Sequence, residues 1–174
     1  MPLDGDEWRA MFRDFRREAW RLETLPQYLV PQEAEELEKF LAGKRLNPYV
    51  HSDEYTEDLK RLRSEGKRKG RVHIVTRPLS EYLRFEFSQY YEPNVRAGDE
   101  IRILDVTDRE NPLPNVQDFW MFDRFTVVLM NYEPDGTQIS RELYEGDPAS
   151  FIEYQRIAVA ESVPYLEYVK GLDA

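Results

Sequence analysis

Arg71-Val72-His73-Ile74-Val75-Thr76, the run Glu81 to Tyr91, and Ile101-Arg102-Ile103-Leu104 together decide the fold. The first stretch is β-branched and lies between Gly70 and Pro78, which predicts a buried strand. Ser80 supplies a cap for an aromatic-rich helix from Glu81 to about Tyr91, and a second strand follows at Ile101–Leu104. Strand, helix and strand within roughly 35 residues is the size of a βαβ crossover, so the two strands should be parallel and joined right-handedly.

Downstream the pattern turns antiparallel. Asp118 to Phe122 and Phe125 to Tyr132 read as strands, and Pro134-Asp135-Gly136 as a hairpin turn into a strand from Gln138 to Leu143. Pro148 opens a last helix whose Phe151, Ile152, Tyr154, Gln155, Ala158 and Val159 turn inward, and Pro164 interrupts it.

Upstream, Trp8, Met11, Phe12, Phe15 and Ala19 recur at helical spacing, predicting a helix from Glu7 to Ala19. Trp20 to Thr24 and Tyr28 to Val30 look extended. Pro31 starts a second helix with Leu37, Phe40 and Leu41 on its inner face and Gly43 at its end. Asn47-Pro48 marks a turn, and Ser52 caps a third helix through Leu59 and Leu62 to a stop at Gly66. The expectation is one α+β domain over residues 1–174, a mixed central sheet flanked by helices, with a helical part at 1–66 and a sheet-containing part at 71–163.

Composition narrows the function. With 34 acidic against 24 basic residues the chain carries a formal charge of −10, which disfavours bulk attraction to nucleic acid or anionic lipid. Absence of cysteine removes disulfides, thiolate zinc sites and thiol nucleophiles. The first residues are acidic where a signal peptide is basic, and the longest aliphatic stretch, Phe125 to Met130, is too short to cross a bilayer. A cytoplasmic protein without a membrane partner is expected.

Three groups of residues carry possible chemistry. The run Lys60 to Arg71 is basic and contains Gly66 and Gly70, so Lys67, Arg68 and Lys69 could meet a nucleic acid or phosphorylated ligand. The simpler reading is a helix end that collects cations against its dipole, followed by a solvated turn. His51 and His73 lack metal-ligand neighbours at helical spacing, and His73 reads as a half-buried strand residue; neither a metal nor a cofactor is expected. Asp105 and Asp123 fall just past strands and Asp118 at the start of one, where they would shape turns or, with Asp99 or Glu100, hold a cation. On a regular strand, Asp118, Trp120 and Phe122 share one face and Phe119 and Met121 the other. Tyr165 and Tyr168 could form an exposed docking tail.

The runs Phe15-Arg-Arg-Glu-Ala-Trp-Arg-Leu-Glu-Thr-Leu, Tyr28-Leu-Val-Pro-Gln-Glu-Ala, Arg71-Val-His-Ile-Val-Thr-Arg-Pro-Leu-Ser-Glu-Tyr-Leu-Arg-Phe-Glu and Asp118-Phe-Trp-Met-Phe-Asp make the chain resemble the actinobacterial domain-of-unknown-function family 6879. Members are often encoded beside Xre-type helix-turn-helix regulators, so the resemblance implies a regulatory role and such a regulator as partner. More distantly, the half from Arg71 onward is similar to phospholipase-D-like sensor domains. The His-x-Lys signature of their active members is missing, because Ile74 and Val75 follow His73. That departure implies binding or sensing on a scaffold without the hydrolytic nucleophile.

The reading is a non-enzymatic regulatory or interaction protein that binds a partner protein or small ligand around Arg71, Arg77, Arg84, Asp118, Trp120 and Asp123. Arginines would grip an anionic group and Trp120 would form an apolar wall. The competing reading is an enzyme of specialised or nucleotide metabolism using Asp105, Asp118 or Asp123.

Overall fold

The computed structural model of the chain describes residues 2–46 and 52–172, with backbone alone at 52–54. Asn47-Pro48 and His51, and the side chain of Ser52, lie outside what is described. Seven strands form one mixed sheet: β1 Glu18–Glu23, β2 Arg68–Val75, β3 Glu100–Asp105, β4 Phe119–Phe122, β5 Thr126–Tyr132, β6 Gln138–Leu143 and β7 Val163–Pro164. Their spatial order is β6-β5-β4-β1-β2-β3-β7. β2 is parallel to both β1 and β3, while β4, β5, β6 and β7 join antiparallel, as the crossover and hairpin patterns predict.

The helices are α1 Gly5–Asp14, α2 Ala34–Leu41, α3 Ser52–Ser64, α4 Glu81–Glu86, α5 Glu92–Ala97, α6 Ala149–Glu161 and α7 Tyr165–Leu172. A π turn at Phe87–Tyr91 joins α4 to α5 and buries Phe87, Gln89 and Tyr91. Gly136, at φ +95°, makes the hairpin turn and lies so close to Gln27 that a Cβ would come within 2.5 Å of its carbonyl oxygen.

The first helix ends at Asp14, five residues short of the Ala19 expected from periodicity. The Asp123 carboxylate accepts the backbone N–H groups of Arg16, Arg17 and Glu18 at 2.9, 2.7 and 3.0 Å, which turns the chain into β1. Ala19 is thereby the first buried residue of a strand. β1 also lies at the centre of the sheet, so the stretch before residue 66 contributes more than helices. Leu41 is 51% exposed, off the inner face expected for it; Leu37 and Phe40 do pack inward. Val159 is at the surface, 37% exposed, and Phe125 stands before β5, 77% exposed.

Alternation along the strands gives the sheet two unlike faces. Trp20 and Leu22, Val72 and Ile74, and Phe119 and Met121 point to one face and pack with Ala158 of α6 in a dry core. On the other face, Ala19, Trp120, Phe122 and Val128 pack under α1, and Val75, Ile101 and Ile103 pack under α4 and the π turn. Between these two apolar clusters runs a polar stripe.

Candidate ligand-binding site

Arg21 and Glu23 alternate with Trp20 and Leu22 on β1, so both ionic side chains land on the α1 and α4 face. Pairing in register sets Arg71 beside Arg21 and His73 beside Glu23 across β1 and β2, and Trp120 of β4 beside Arg21 on the other flank. α1 closes the stripe from one side with Trp8 and Phe12. The 3₁₀ turn Pro31–Glu33, α4 and the π turn close it from the other. What remains is a cleft of about 940 Å³, within the range of small-molecule sites.

Its floor is an ionic network. Arg71 donates from Nη1 to Glu23 Oε1 at 2.8 Å, and Arg21 Nη1 stands 3.9 Å from the other oxygen of Glu23. Arg21 Nη2 also donates to Tyr132 Oη at 2.8 Å and faces Asp118 at 3.9 Å, while Arg71 Nη2 faces Asp99 at 3.7 Å. Glu23 is 1% exposed, yet the two guanidiniums outweigh its burial and hold its pKa well below the usual carboxylate range. Burial raises the pKa of Asp99 and of Asp118, opposed by Arg71 and Arg21 respectively. Asp118 is further bound by Thr24, whose N–H lies at 3.0 Å, and by the Tyr28 hydroxyl.

His73 is fully buried, not half-buried as the strand pattern alone suggests. Its Nε2 faces the Leu25 carbonyl at 2.9 Å, so that nitrogen must carry a proton. Its Nδ1 lies 2.9 Å from Tyr91 Oη, which gives its own proton to Glu23 at 2.9 Å. The Tyr91 hydroxyl thus bridges Nδ1 and the Glu23 carboxylate, and both ring nitrogens are hydrogen-bonded. Burial opposes a charge on the ring, but Glu23 and Glu86 overcome it and the pKa is raised.

Glu23, His73 and Glu86 bring ligand atoms within 4.8 Å of one another, a spacing suited to a metal ion. The donor set does not fit one. Both imidazole nitrogens are already hydrogen-bonded, Nε2 to the Leu25 carbonyl and Nδ1 to Tyr91, and Glu23 already faces two guanidiniums whose positive field would repel a cation.

At the two ends of the stripe the charges are not matched. Lys69 projects among the rings of Phe12, Tyr55 and Trp120, its Nζ 5.2, 4.5 and 5.6 Å from their centroids. Burial lowers its pKa to about 8. At the other end the Tyr82 hydroxyl lies 2.9 Å from Glu33 and 3.0 Å from Glu86. One proton cannot serve two carboxylates at once. Burial and the neighbouring Glu86 push Glu33 up to about 7.

The six residues singled out from sequence separate into two sets. Arg71, Asp118 and Trp120 are brought together, joined through Arg21 and Glu23. Arg71 and Trp120 line the cleft and Asp118, behind Arg21, does not; Arg77, Arg84 and Asp123 do not line it either. Arg77 pairs with Asp105 and Asp108 at 2.7 and 2.9 Å, Arg84 is exposed on α4, and Asp123 ties down the backbone before β1. Lys67 lies over the Phe15 ring, Arg68 pairs with Glu100, and Lys69 enters the cleft; all but Lys67 belong to β2, not to a solvated turn. Tyr165 is no exposed tail: it is buried against Phe87 and Tyr91 and donates to the Phe87 carbonyl at 3.1 Å. Tyr168 donates to Asp105 at 2.7 Å.

Arg21, Glu23, Glu86 and Tyr91 escaped the sequence reading. The available signal was a charged pair alternating with Trp20 and Leu22, which pattern alone assigns to solvent.

The chain is similar in structure to a phospholipase D family member, Nuc, from Salmonella typhimurium, with a TM-score of 0.50 and 10% identity over 91% of this chain and 90% of that one. The likeness therefore spans both parts of the chain, beyond the half from Arg71 onward, and it concerns the fold alone. No curated protein matches the sequence. The profile of the family described as Domain of unknown function (DUF6879) matches residues 6–170, and the chain belongs to that family.

Proposed function

We propose that this chain is a non-enzymatic receptor whose cleft, between α1 and α4, holds a small polar ligand and passes its presence to a partner protein. The observation that carries this reading is the state of the floor. Among the described residues, Arg21 Nε, Arg71 Nε and Glu86 Oε1 are buried without hydrogen-bond partners, while both nitrogens of His73 are engaged. Unpaired buried donors and acceptors favour a ligand that pairs with them. A fully buried imidazole with both nitrogens hydrogen-bonded inside the fold presents no free lone pair to a phosphodiester.

The aspartates of the enzymatic alternative are spent in structure. Asp105 is held at about 2, against its burial, by bonds from Thr107, Tyr168 and Arg77. The Asp123 pKa is lowered by three backbone N–H groups that its carboxylate accepts. An actinobacterial source and an Xre-type helix-turn-helix partner accompany this reading through the family resemblance, and a cytoplasmic location through the cysteine-free composition.

The test is a thermal-shift panel of small carboxylates, phosphoesters and amino compounds, followed by calorimetry of any compound that raises Tm. Trp120→Ala should weaken binding at least tenfold and Arg84→Ala should leave it unchanged. Hydrolysis of bis(p-nitrophenyl) phosphate by the wild type, lost in His73→Gln, would overturn the reading.

A further inference from the structure

The geometry points to an elongated zwitterion as the ligand, its anionic group at Lys69 and its cationic group at Glu33 and Glu86. This assignment rests on the receptor reading of the cleft and adds the ligand's chemical class. Inside the floor the charges cancel: Arg21, Arg71 and His73 face Glu23, Asp99 and Asp118. The surplus lies at the ends. Among the described residues no carboxylate reaches ion-pair distance of Lys69, which is ringed by aromatic faces, and no cation reaches Glu33, whose described partner is the Tyr82 hydroxyl.

A half-buried ammonium and a half-buried carboxylate, each without a described counter-ion at ion-pair distance, are costly alone. One ligand with opposite charges at its two ends relieves both. Lys69 and His73 are four residues apart on β2, about 13 Å along the strand, and His73 Nδ1 is 3.6 Å from Glu86. The ligand's two charges are thus separated by more than an ordinary α-amino acid provides. Trp120, Phe12 and Tyr28 along the way suit an apolar or flat middle.

The pH dependence follows from the same two ends. Asp99, Asp58, Arg71 and Arg21 surround Lys69, whose ammonium is lost above about 8. Glu86, Glu23, Glu36 and Tyr82 surround Glu33, whose carboxylate is lost below about 7. Binding of a zwitterion should therefore be tightest between these two values and fall on both sides.

The experiment uses a ruler of straight-chain amino acids with terminal amines: aminobutyrate, aminohexanoate, aminooctanoate, aminodecanoate and aminododecanoate, with octanoate and octylamine as singly charged controls. Calorimetry on the full chain should give a length optimum at aminooctanoate or aminodecanoate, at least tenfold tighter than aminobutyrate and than either control. In Glu33→Gln the preference over octanoate should disappear, and in Lys69→Met the preference over octylamine. The wild-type length series and pH profile need no variant, so a misfolded variant leaves the test intact. A flat length series, controls that bind as well as the amino acids, a monotonic pH profile, or no binding by any probe would overturn the assignment. If the panel above then yields a Trp120-dependent ligand of another charge type, the receptor reading stands without it; if the panel is also silent, both fall.

Discussion

The two faces of the central sheet are built from the same strands and held by opposite means. Behind β1, Trp20 and Leu22 join Phe119 and Met121 in a dry core against α6. In front, Arg21 and Arg71, open to the cleft at one side, join the buried Glu23, His73 and Asp118 in a charged layer. The dry face gains from every apolar contact independently and tolerates gradual change. The charged face is stable only while its members stay matched, since each group removed strands another in a medium that cannot solvate it. Such a layer is a poor way to gain stability and a good way to hold donors and acceptors at fixed positions.

The largest effect should come from breaking a match. Glu23→Ala leaves two guanidiniums facing each other and should cost about 3–5 kcal/mol in urea unfolding, enough to unfold a marginal protein. Adding Arg71→Met to that variant should restore part of the loss, which a double-mutant cycle measures as coupling. On the dry face, Met121→Ala should cost about 2–5 kcal/mol through a cavity, with no rescue by a second change across the sheet. If both faces respond alike to such rescue, the contrast fails.

A gentler probe is pH. The His73 pKa is raised above the ordinary 6.5, so the stabilisation from its charge is complete below about that value and is lost as pH rises through its elevated native value. Stability measured by chemical denaturation should decline on the alkaline side, and His73→Gln should flatten that part of the profile. The smallest effect belongs to Arg77→Ala at the exposed strand end, whose urea unfolding midpoint should stay close to that of the wild type, because its partners Asp105 and Asp108 remain solvated or otherwise bonded.

The dry face was legible in the sequence. Val72, Ile74 and Phe119 announce strands by β-branching or aromatic content, and the parallel β2 to β3 pair follows from the crossover spacing. The charged face was only half legible. Arg71, Asp118 and Trp120 were found because they flank strong strand signals, whereas Arg21 and Glu23 look like the wet side of an edge strand. Nothing in a one-dimensional pattern says that α1 and the helix after β2 both fold over the same side. Arg77, Arg84 and Asp123 were chosen for nearness to strand ends, and nearness along the chain put them outside the cleft.

The central place of β1 has a consequence for how the protein comes into being. This strand is synthesised before both of its neighbours, and one of them, β4, begins a full hundred residues later in the chain. Until then its two edges are partnered on one side at most, and the nascent molecule must shelter a strand carrying both oily and ionic side chains. Assembly of the sheet is governed by contacts distant in sequence, which slows folding, and cutting the gene after residue 66 should release a fragment with a strand and no sheet to receive it.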